Sequence, residues 1–220
     1  MGARPAVIVL AAGAGSRFLG AGHKLAQRLG ESTVLGNTLQ HAIASHLQVV
    51  VVTTEALAAT ARLSVAARDV VVLPEVGATG RGAQTLGLNS GLGVGLGMGY
   101  SISAGVGARP DAAGWLVLPG DMPQVQPLTL QIVSRQLLHH AVAYAQHKGR
   151  RGHPVGFSSE LFSELSALRG DEGARRLVAR YAAFGVDVDD PGVLVDVDTQ
   201  ADLDRVRETL PAGAPPVPRW

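Results

Sequence analysis

Short runs of apolar, often β-branched residues recur along the 220-residue chain, and stretches with helical spacing separate them. Runs that are apolar throughout, rather than at alternate positions, are typical of strands buried on both faces of a parallel sheet. Strands that alternate with helices predict an α/β fold, with a mostly parallel sheet between two layers of helices. The predicted strands are Ala6–Leu10, Gln48–Thr53, Val70–Leu73, Trp115–Leu118, Val142–Gln146 and Val193–Val197.

Apolar residues three and four positions apart predict helices between these strands. The predicted helices run through Val34–Ile43, Leu57–Val65, Leu128–Leu138, Glu160–Leu168, Asp171–Tyr181 and Gln200–Leu210, and a further one begins near Tyr100. We expect a single domain over residues 1–210. The tail over residues 211–220 is rich in proline, and we expect it to be unstructured.

The composition excludes several classes of protein. Basic and acidic residues nearly balance, 19 against 18, so the overall charge predicts no binding to nucleic acid or to an anionic membrane. The absence of cysteine excludes disulfides, thiolate chemistry and cysteine-ligated zinc. No apolar run reaches the roughly 18 residues of a membrane-spanning helix, and the N-terminus lacks the long apolar region of a signal peptide. We therefore expect a cytoplasmic protein.

A glycine-rich segment follows the first predicted strand, and two basic residues come after it. Gly13 and Gly15 allow backbone N–H groups to approach a phosphate without a Cβ in the way. Arg17 and Lys24 carry the positive charge that a bound triphosphate requires. The glycines alone are equally consistent with an ordinary turn. The segment lacks the Gly-Lys-Ser/Thr of a Walker loop, and Phe18 takes the place of the small residue of a dinucleotide-binding loop.

Two acidic segments each follow an apolar run. Asp121 comes after the fourth predicted strand, and Asp196 and Asp198 come at the end of the last one. The carboxyl ends of strands face the ligand crevice in such folds, and carboxylates are preferred ligands of Mg²⁺, which often bridges protein and phosphate. Other interpretations remain open, because Asp121 also suits a turn and Asp198 with Thr199 also suits a helix cap.

Two further segments are candidates for contacts with an anion or a phosphate group. Gly97–Gly105 combines glycines with a helix start, where N–H groups can face an anion. Gly149–Val155 places two arginines, which are suited to phosphate, and His153 beside a strand start. The first segment is also consistent with a simple lid and the second with a solvated hairpin. Asp171 suits a helix N-terminus. The other six histidines, His23 among them, show no metal-site spacing and are predicted to be surface or packing residues.

Together these segments resemble the MobA-like NTP transferase superfamily. The first reads Leu-Ala-Ala-Gly-x-Gly-x-Arg-Phe from Leu10, with Lys-Leu after it; the others are Asp-Met-Pro after a strand and Asp-Thr-x-x-Asp-Leu from Asp198. Arg-Gly-His-Pro and the segment Leu168–Arg175 resemble the molybdenum cofactor cytidylyltransferases, the MocA type. The resemblance covers Ala6–Leu210 and implies a three-layer α/β/α, Rossmann-like nucleotidyltransferase fold of the GT-A-like kind.

The resemblance also implies roles for the matching residues. The implied nucleotide-binding residues are Leu10, Ala11, Ala12, Gly13, Gly15, Ser16, Arg17, Lys24, Gly99 and Ser101. The implied acceptor-binding residues are Arg151, His153 and Asp171. Arg17, Lys24 and Asp121 are the implied catalytic residues. Mg²⁺ is the implied cofactor, with Asp121 and Asp198 as ligands and Asp196 as the alternative to Asp198.

The implied reaction moves a nucleoside monophosphate from an NTP onto the terminal phosphate of an acceptor and releases pyrophosphate. Ala11-Ala12-Gly13 with Arg17-Phe18 favours CTP as the donor, and the MocA likeness implies a molybdopterin-type acceptor. A molybdoenzyme is considered as a further partner. The alternatives are a guanylyl- or sugar-phosphate nucleotidyltransferase and a non-catalytic nucleotide-binding cofactor chaperone. The presence of Lys24, Asp121 and Asp198 together favours an enzyme.

Overall fold

The structure is a computed structural model that describes residues 3–13, 15, 18, 22–74, 97–171 and 173–209. The predicted tail over residues 211–220 lies outside these residues. Ser16, Arg17 and the glycine-rich residues 77–96 also lie outside them.

A seven-stranded sheet forms the centre of the described fold, in the order β5-β4-β1-β6-β8-β7-β9. Strand β8 is antiparallel to β6 and β7, and the other neighbouring pairs are parallel. The strands are β1 Ala6–Ala11, β4 Gln48–Thr54, β5 Val70–Leu73, β6 Gly114–Pro119, β7 Val142–His147, β8 Arg150–Ser158 and β9 Phe184–Asp187, with β2 Arg28–Leu29 and β3 Ser32–Thr33 as a separate pair. The mostly parallel sheet is as predicted.

Helices cover both faces of the sheet, which explains why its central strands are apolar throughout. Along β1, Val7 and Val9 belong to one buried cluster, while Ala6 and Ile8 belong to the other. The helices are α1 Val34–Ala44, α2 Glu55–Arg62, α3 Gly97–Gly107, α4 Pro127–Gln136, α5 Phe162–Ser166, α6 Arg175–Arg180 and α7 Gln200–Thr209. Buried residues of α1, α2, α4 and α7 fill the first cluster and those of α3, α5 and α6 the second. The three-layer α/β/α prediction is confirmed.

The last predicted strand is wrong. Residues Pro191–Leu194 form a 3₁₀ helix instead of the start of a strand at Val193. Pro191 fixes its own φ and lacks an N–H for a ladder, and the Asp190 side chain accepts a hydrogen bond from Gly192 N at the start of this helix. Sequence reasoning also missed β9, where the short run Phe184–Asp187 pairs in parallel with β7.

Two predicted helices are shorter than expected. The helix predicted over Asp171–Tyr181 begins only at Arg175, since Gly170 and Gly173 adopt positive φ and interrupt a helical backbone before it. The one predicted over Glu160–Leu168 is a 3₁₀ turn followed by α5. Within the described ranges, no helix is both long and apolar enough to cross a membrane.

The topology gives β1 a special position. Its neighbours are β4 on one side and β6 on the other, both parallel to it, so the chain leaves β1 in one direction and later returns on its other side. Ligands of open α/β sheets bind outside the carboxyl ends of the strands at such a switch point. The glycine segment after β1 and the acidic loop after β6 therefore lie at one rim of the sheet, called the ligand rim below.

Candidate nucleotide and metal site

Lys24, Asp121 and Asp198 are far apart in sequence but meet at the ligand rim. The Lys24 Nζ lies 2.6 Å from Asp121 Oδ2 and 2.6 Å from Asp198 Oδ1, so one ammonium bridges two carboxylates. The side chains are 12%, 18% and 29% exposed, respectively. Short charge-assisted hydrogen bonds are among the stronger polar contacts in proteins. The three residues are called the charge cluster below.

Backbone hydrogen bonds place Asp121 at this position. Gly120 N donates to Leu10 O at 2.8 Å, which ties the acidic loop to the end of β1. A Cβ at Gly120 would lie 2.9 Å from the same carbonyl oxygen, so a side chain would push the two loops apart. The Thr38 hydroxyl, on α1, donates to Gly120 O at 2.9 Å. The loop that carries Asp121 is therefore held from two sides.

Asp198 reaches the cluster without belonging to a strand. Val197 N donates to Asp121 O at 2.9 Å, and this backbone bond sets the C-terminal segment beside the acidic loop. The cap of α7 is made by other residues: Thr199 N and Oγ1 both donate to Asp202 Oδ2, and Asp202 N donates back to Thr199 Oγ1. This is a capping-box arrangement. Asp198 contacts Lys24 rather than serving as this cap.

His23 fixes the backbone next to Lys24. Its Nδ1 accepts a hydrogen bond from Leu25 N at 3.2 Å, which leaves Nε2 as the donor to Gly13 O at 3.0 Å. Gly15 adopts φ +60°, and a Cβ there would lie 3.3 Å from Lys24 Cγ. The imidazole thus joins the glycine segment to the turn that carries Lys24. Sequence reasoning predicted His23 to be a surface or packing residue; its direct adjacency to Lys24 was the available signal.

The electrostatics of the rim favour a positive charge. Burial is the largest influence on the pKa of Lys24 and lowers it, but attraction and hydrogen bonds from Asp121 and Asp198 together outweigh burial and raise the pKa. Burial, followed by the charges of Asp198 and Asp121, raises the pKa of the Asp196 carboxyl. Three carboxylates thus influence one another around the Lys24 ammonium, and these four side chains together carry an excess of negative charge.

These residues fit a hard divalent cation. Asp121 Oδ1 is buried and has no hydrogen-bond partner among the residues that the structure describes, although buried polar atoms ordinarily have one. Over the residues that the structure describes, no group of three or more His, Cys, Asp or Glu could hold a metal by itself. Mg²⁺ is commonly held by one or two carboxylates together with substrate phosphates and water. A pair of aspartates therefore suits a cation that is shared with a phosphorylated ligand.

A second cluster lies on the other face of the sheet, where α3 meets the segment before α6. Gly99 N donates to Gly170 O at 2.8 Å. A Cβ at Gly97 would lie 2.2 Å from the Gly170 carbonyl carbon, and one at Gly99 would lie 2.8 Å from Arg169 O. Only glycine permits backbones to come this close. These four residues are called the glycine contact below.

Gly99 and Ser101, which the resemblance assigned to nucleotide binding, lie at or next to the glycine contact. The helix begins at Gly97 rather than near Tyr100, and the Gly99 N–H is already paired, so this N–H is not available to an anion. Ser101 is buried, and its hydroxyl donates to Gly97 O at 3.5 Å. The structure places both residues in the layer opposite α1 and α7, away from the face on which Leu25 and Val197 pack.

His153 is at the ligand rim because β8 runs antiparallel to β6. Val155 pairs with Val117, and His153 precedes it by two residues toward the carboxyl end of β6. Burial lowers the pKa of His153, and the charge of Asp121 partly offsets this, which places the imidazole within electrostatic reach of the charge cluster. Its Nδ1 is buried and, within the described part of the chain, has no hydrogen-bond partner.

The other two predicted acceptor residues are exposed. The Arg151 guanidinium lies over the Tyr144 ring, 4.6 Å from the ring centroid, a distance at which cation–π attraction operates. Asp171 lies in the loop beside the glycine contact and precedes the start of α6, so it does not cap that helix. The structure thus brings Lys24, Asp121 and Asp198 together, while the functional roles of all predicted site residues stay predictions.

The glycine turn lies at the switch point of a parallel sheet and faces two carboxylates that the Lys24 ammonium bridges. Together these features define a protein that binds the phosphate groups of a nucleotide. The chain belongs to the family of MobA-like NTP transferase domains, whose model matches residues 7–184. The superfamily resemblance is confirmed, and the chain is a nucleotidyltransferase of this family. The closer likeness to the MocA type stays a prediction.

A curated relative matches part of the chain. Over 115 residues the chain is 34% identical to the purine catabolism protein PucB of Bacillus subtilis (strain 168). The matched stretch makes up 50% of this chain and 56% of that protein, so the chain spans little more than half of this relative.

Solved structures match nearly the whole chain. Rv0371c of Mycobacterium tuberculosis H37Rv is 27% identical, with a TM-score of 0.75 over 95% of this chain and 100% of that one. A structure of Rv0371c in complex with manganese is 28% identical, with a TM-score of 0.71 over 94% and 100%. Molybdopterin-guanine dinucleotide biosynthesis protein A of Archaeoglobus fulgidus is 18% identical, with a TM-score of 0.62 over 92% and 97%, and this likeness shows the fold alone.

Proposed function

We propose that the protein transfers CMP from CTP onto the terminal phosphate of a molybdopterin-type acceptor, in the cytoplasm and with Mg²⁺ as cofactor. The observation that carries this proposal is the charge cluster at the ligand rim, where Lys24 meets Asp121 and Asp198 beside the glycine segment. Family membership supports the general reaction. The sequence likeness to the MocA type supports the base and the acceptor.

The reaction needs positioning and charge neutralisation rather than a covalent intermediate. An oxygen of the acceptor phosphate forms a bond to the α-phosphorus in line with the leaving group, and the bond from the α-phosphorus to the α,β-bridging oxygen breaks. Pyrophosphate leaves with that electron pair. The acceptor phosphate is already ionised near neutral pH, so no general base is required. Lys24 supplies positive charge to the triphosphate, and Arg17 is assigned the same task by the resemblance.

Asp121 and Asp198 would hold the divalent cation, with Asp196 as the alternative to Asp198. Such an ion neutralises charge on the phosphate oxygens during transfer. The buried, unpartnered Asp121 Oδ1 supports this assignment, and so does the manganese bound in the structure of Rv0371c. The neutral imidazole of His153, near Asp121 at the rim, is suited to a hydrogen bond with the acceptor.

Pyrophosphate release, measured with CTP, GTP, ATP and UTP in turn, tests the proposal. Each nucleotide is offered with and without Mg²⁺ and with and without molybdenum cofactor. We expect release with CTP only when both Mg²⁺ and the cofactor are present. Release with GTP would identify a guanylyltransferase, and release with a sugar phosphate as acceptor would identify the other alternative. Tight nucleotide binding with no release under any condition would identify a cofactor chaperone.

Asp121→Asn provides the matched test of the site. It keeps the size of the side chain and removes its charge, and we expect kcat to fall on the order of 10² to 10³-fold with an unchanged melting temperature. Asp111→Asn is the control, since Asp111 is exposed before the start of β6, at the opposite end of that strand. An Asp121→Asn variant that keeps most of its activity would overturn the assignment of Asp121.

A further inference from the structure

The charge cluster contains a cation of its own. Lys24 Nζ contacts one oxygen of each aspartate at 2.6 Å, and these are the carboxylates that the proposed function assigns to the divalent ion. A protein ammonium and a metal ion would then compete for the same two side chains. Because Lys24 is only 12% exposed, water screens this competition weakly.

The charges make simultaneous binding unfavourable. Lys24 Nζ lies 2.6 Å from a carboxylate oxygen of both Asp121 and Asp198, so its positive charge already offsets part of their negative charge. A divalent ion on the same oxygens would lie beside an ammonium, and like charges in a partly buried site repel strongly. Exchange of the ammonium for the ion removes that repulsion, provided that the ammonium finds another anionic partner.

The geometry supplies a second place for the ammonium. The Lys24 stem lies against the glycine segment, since a Cβ at Gly15 would be 3.3 Å from Lys24 Cγ. His23 anchors the adjacent backbone through Gly13 O and Leu25 N, so the four-carbon lysine stem can move while the turn stays in place. A triphosphate on the glycine segment would offer the ammonium several phosphate oxygens as alternative anionic partners.

We propose that Lys24 is the counter-ion of Asp121 and Asp198 in the nucleotide-free protein and keeps free divalent cations out. The triphosphate draws Lys24 away, and the cation enters together with the nucleotide, so that the preformed cation–nucleotide complex is the form of substrate that binds. This inference rests on the proposed function. It adds a second task for Lys24, the exclusion of metal from the empty site.

Mn²⁺ binding to the nucleotide-free protein tests this exchange and requires no turnover. Free Mn²⁺ is measured by electron paramagnetic resonance for wild type and for Lys24→Met, which keeps the length of the side chain and removes its charge. We expect Lys24→Met to bind Mn²⁺ at least about tenfold more tightly than wild type. With a non-hydrolysable CTP analogue present, we expect the order to reverse, because the triphosphate then lacks its lysine.

Two further variants locate the effect. Lys148→Met removes the same charge from the exposed turn between β7 and β8, and we expect wild-type Mn²⁺ affinity. Asp121→Asn added to Lys24→Met should abolish the gain, which places the bound ion on Asp121. Circular dichroism confirms that each variant is folded, and Lys24→Gln serves as the second uncharged variant.

The outcomes separate the two proposals. Equal or weaker Mn²⁺ binding by both Lys24 variants, or a gain that persists with Asp121→Asn, overturns the counter-ion role even if wild type releases pyrophosphate from CTP. Tighter Mn²⁺ binding by Lys24→Met in a protein that releases pyrophosphate from no nucleotide supports the counter-ion role and overturns the proposed function.

Discussion

The charge cluster and the glycine contact join distant parts of the chain by different means. Lys24, Asp121 and Asp198 meet through charged side chains from three separate segments of the chain. The glycine contact joins α3 to the segment before α6 through backbone atoms, with no space for a Cβ at Gly97 or Gly99. The first arrangement depends on charge and the second on the absence of side chains.

The difference predicts how each region responds to substitution. In the charge cluster an uncharged side chain of equal size still fits, so the fold persists while the chemistry is lost. In the glycine contact one added methyl group meets backbone atoms that cannot move independently, so the packing is lost. The region proposed to hold the metal is therefore sensitive in function, and the glycine contact is sensitive in stability.

The largest effect separates Asp198 from Asp196. Asp198 contacts Lys24, whereas Asp196 is exposed and influences the cluster through its charge. We expect Asp198→Asn to lower kcat on the order of 10²-fold or more and Asp196→Asn to lower it less than about tenfold. Steady-state pyrophosphate release measures both. A larger loss for Asp196→Asn would transfer the ligand role to Asp196.

Gly97→Ala tests the glycine contact. Gly97 has φ +78°, and its added Cβ would lie 2.2 Å from the Gly170 carbonyl carbon. We expect a loss of about 2–3 kcal/mol in the free energy of unfolding, from crowding and backbone strain together. Urea unfolding measures it. Gly107→Ala, at the other end of α3 with nothing within 4 Å of its added Cβ, is the control and should change stability little. Equal effects of both variants would contradict a special role for the contact.

Thr199→Ala removes the cap of α7 next to the charge cluster. Thr199 exchanges hydrogen bonds with Asp202, and loss of such a cap costs about 1 kcal/mol. Thermal unfolding measures the loss. Because Asp198 is adjacent, we also expect kcat to fall slightly, by roughly two- to threefold. An unchanged melting temperature would show that the cap adds no stability to the folded protein.

The smallest effect concerns pH. His41 Nδ1 donates to Val125 O at 3.0 Å and supports the loop after Asp121. Burial lowers the pKa of His41, and the Val125 carbonyl and the charge of Asp190 offset this only in part. The unfolded chain therefore takes up a proton at higher pH than the folded protein, so stability is retained above the ordinary histidine pKa of about 6.5 and lost as pH falls below it.

His41→Gln isolates this contribution. Glutamine can still donate to the Val125 carbonyl, but it does not titrate. We expect the free energy of unfolding of the variant to fall less than that of wild type between pH 7.5 and pH 5. His153, whose pKa is also lowered, keeps part of the dependence in both proteins. Parallel curves for the two proteins would show that His41 titrates alike in the folded and unfolded states.

The sheet and the charge cluster could be predicted because both follow from simple rules. Strands apolar on both faces predicted a sheet between helical layers, and residues after parallel strands share one rim. Asp121 and Lys24 obey this rule. Asp198 reached the right place for a different reason: its segment is not a strand, and the Val197 N–H to Asp121 O bond positions it. The predicted position of Asp198 beside Asp121 is correct, but the strand predicted before Asp198 is wrong.

The glycine contact could not be predicted, because it depends on which backbone segments meet in the folded chain. Nothing local distinguishes a glycine that makes a turn from one that admits another backbone, as Gly99 admits Arg169. The strand β9 was missed because the four residues Phe184–Asp187 contain a glycine and an acid and give too short a signal. Its pairing with β7 is a tertiary effect.

The position of Asp198 along the chain has a consequence for synthesis on the ribosome. Every strand of the seven-stranded sheet lies before residue 188, and the chain is synthesised from its N-terminal side. The second carboxylate is thus translated after the last strand. Until Asp198 is translated, the charge cluster consists of Lys24 and Asp121, so the second carboxylate joins a sheet whose strands have all been synthesised.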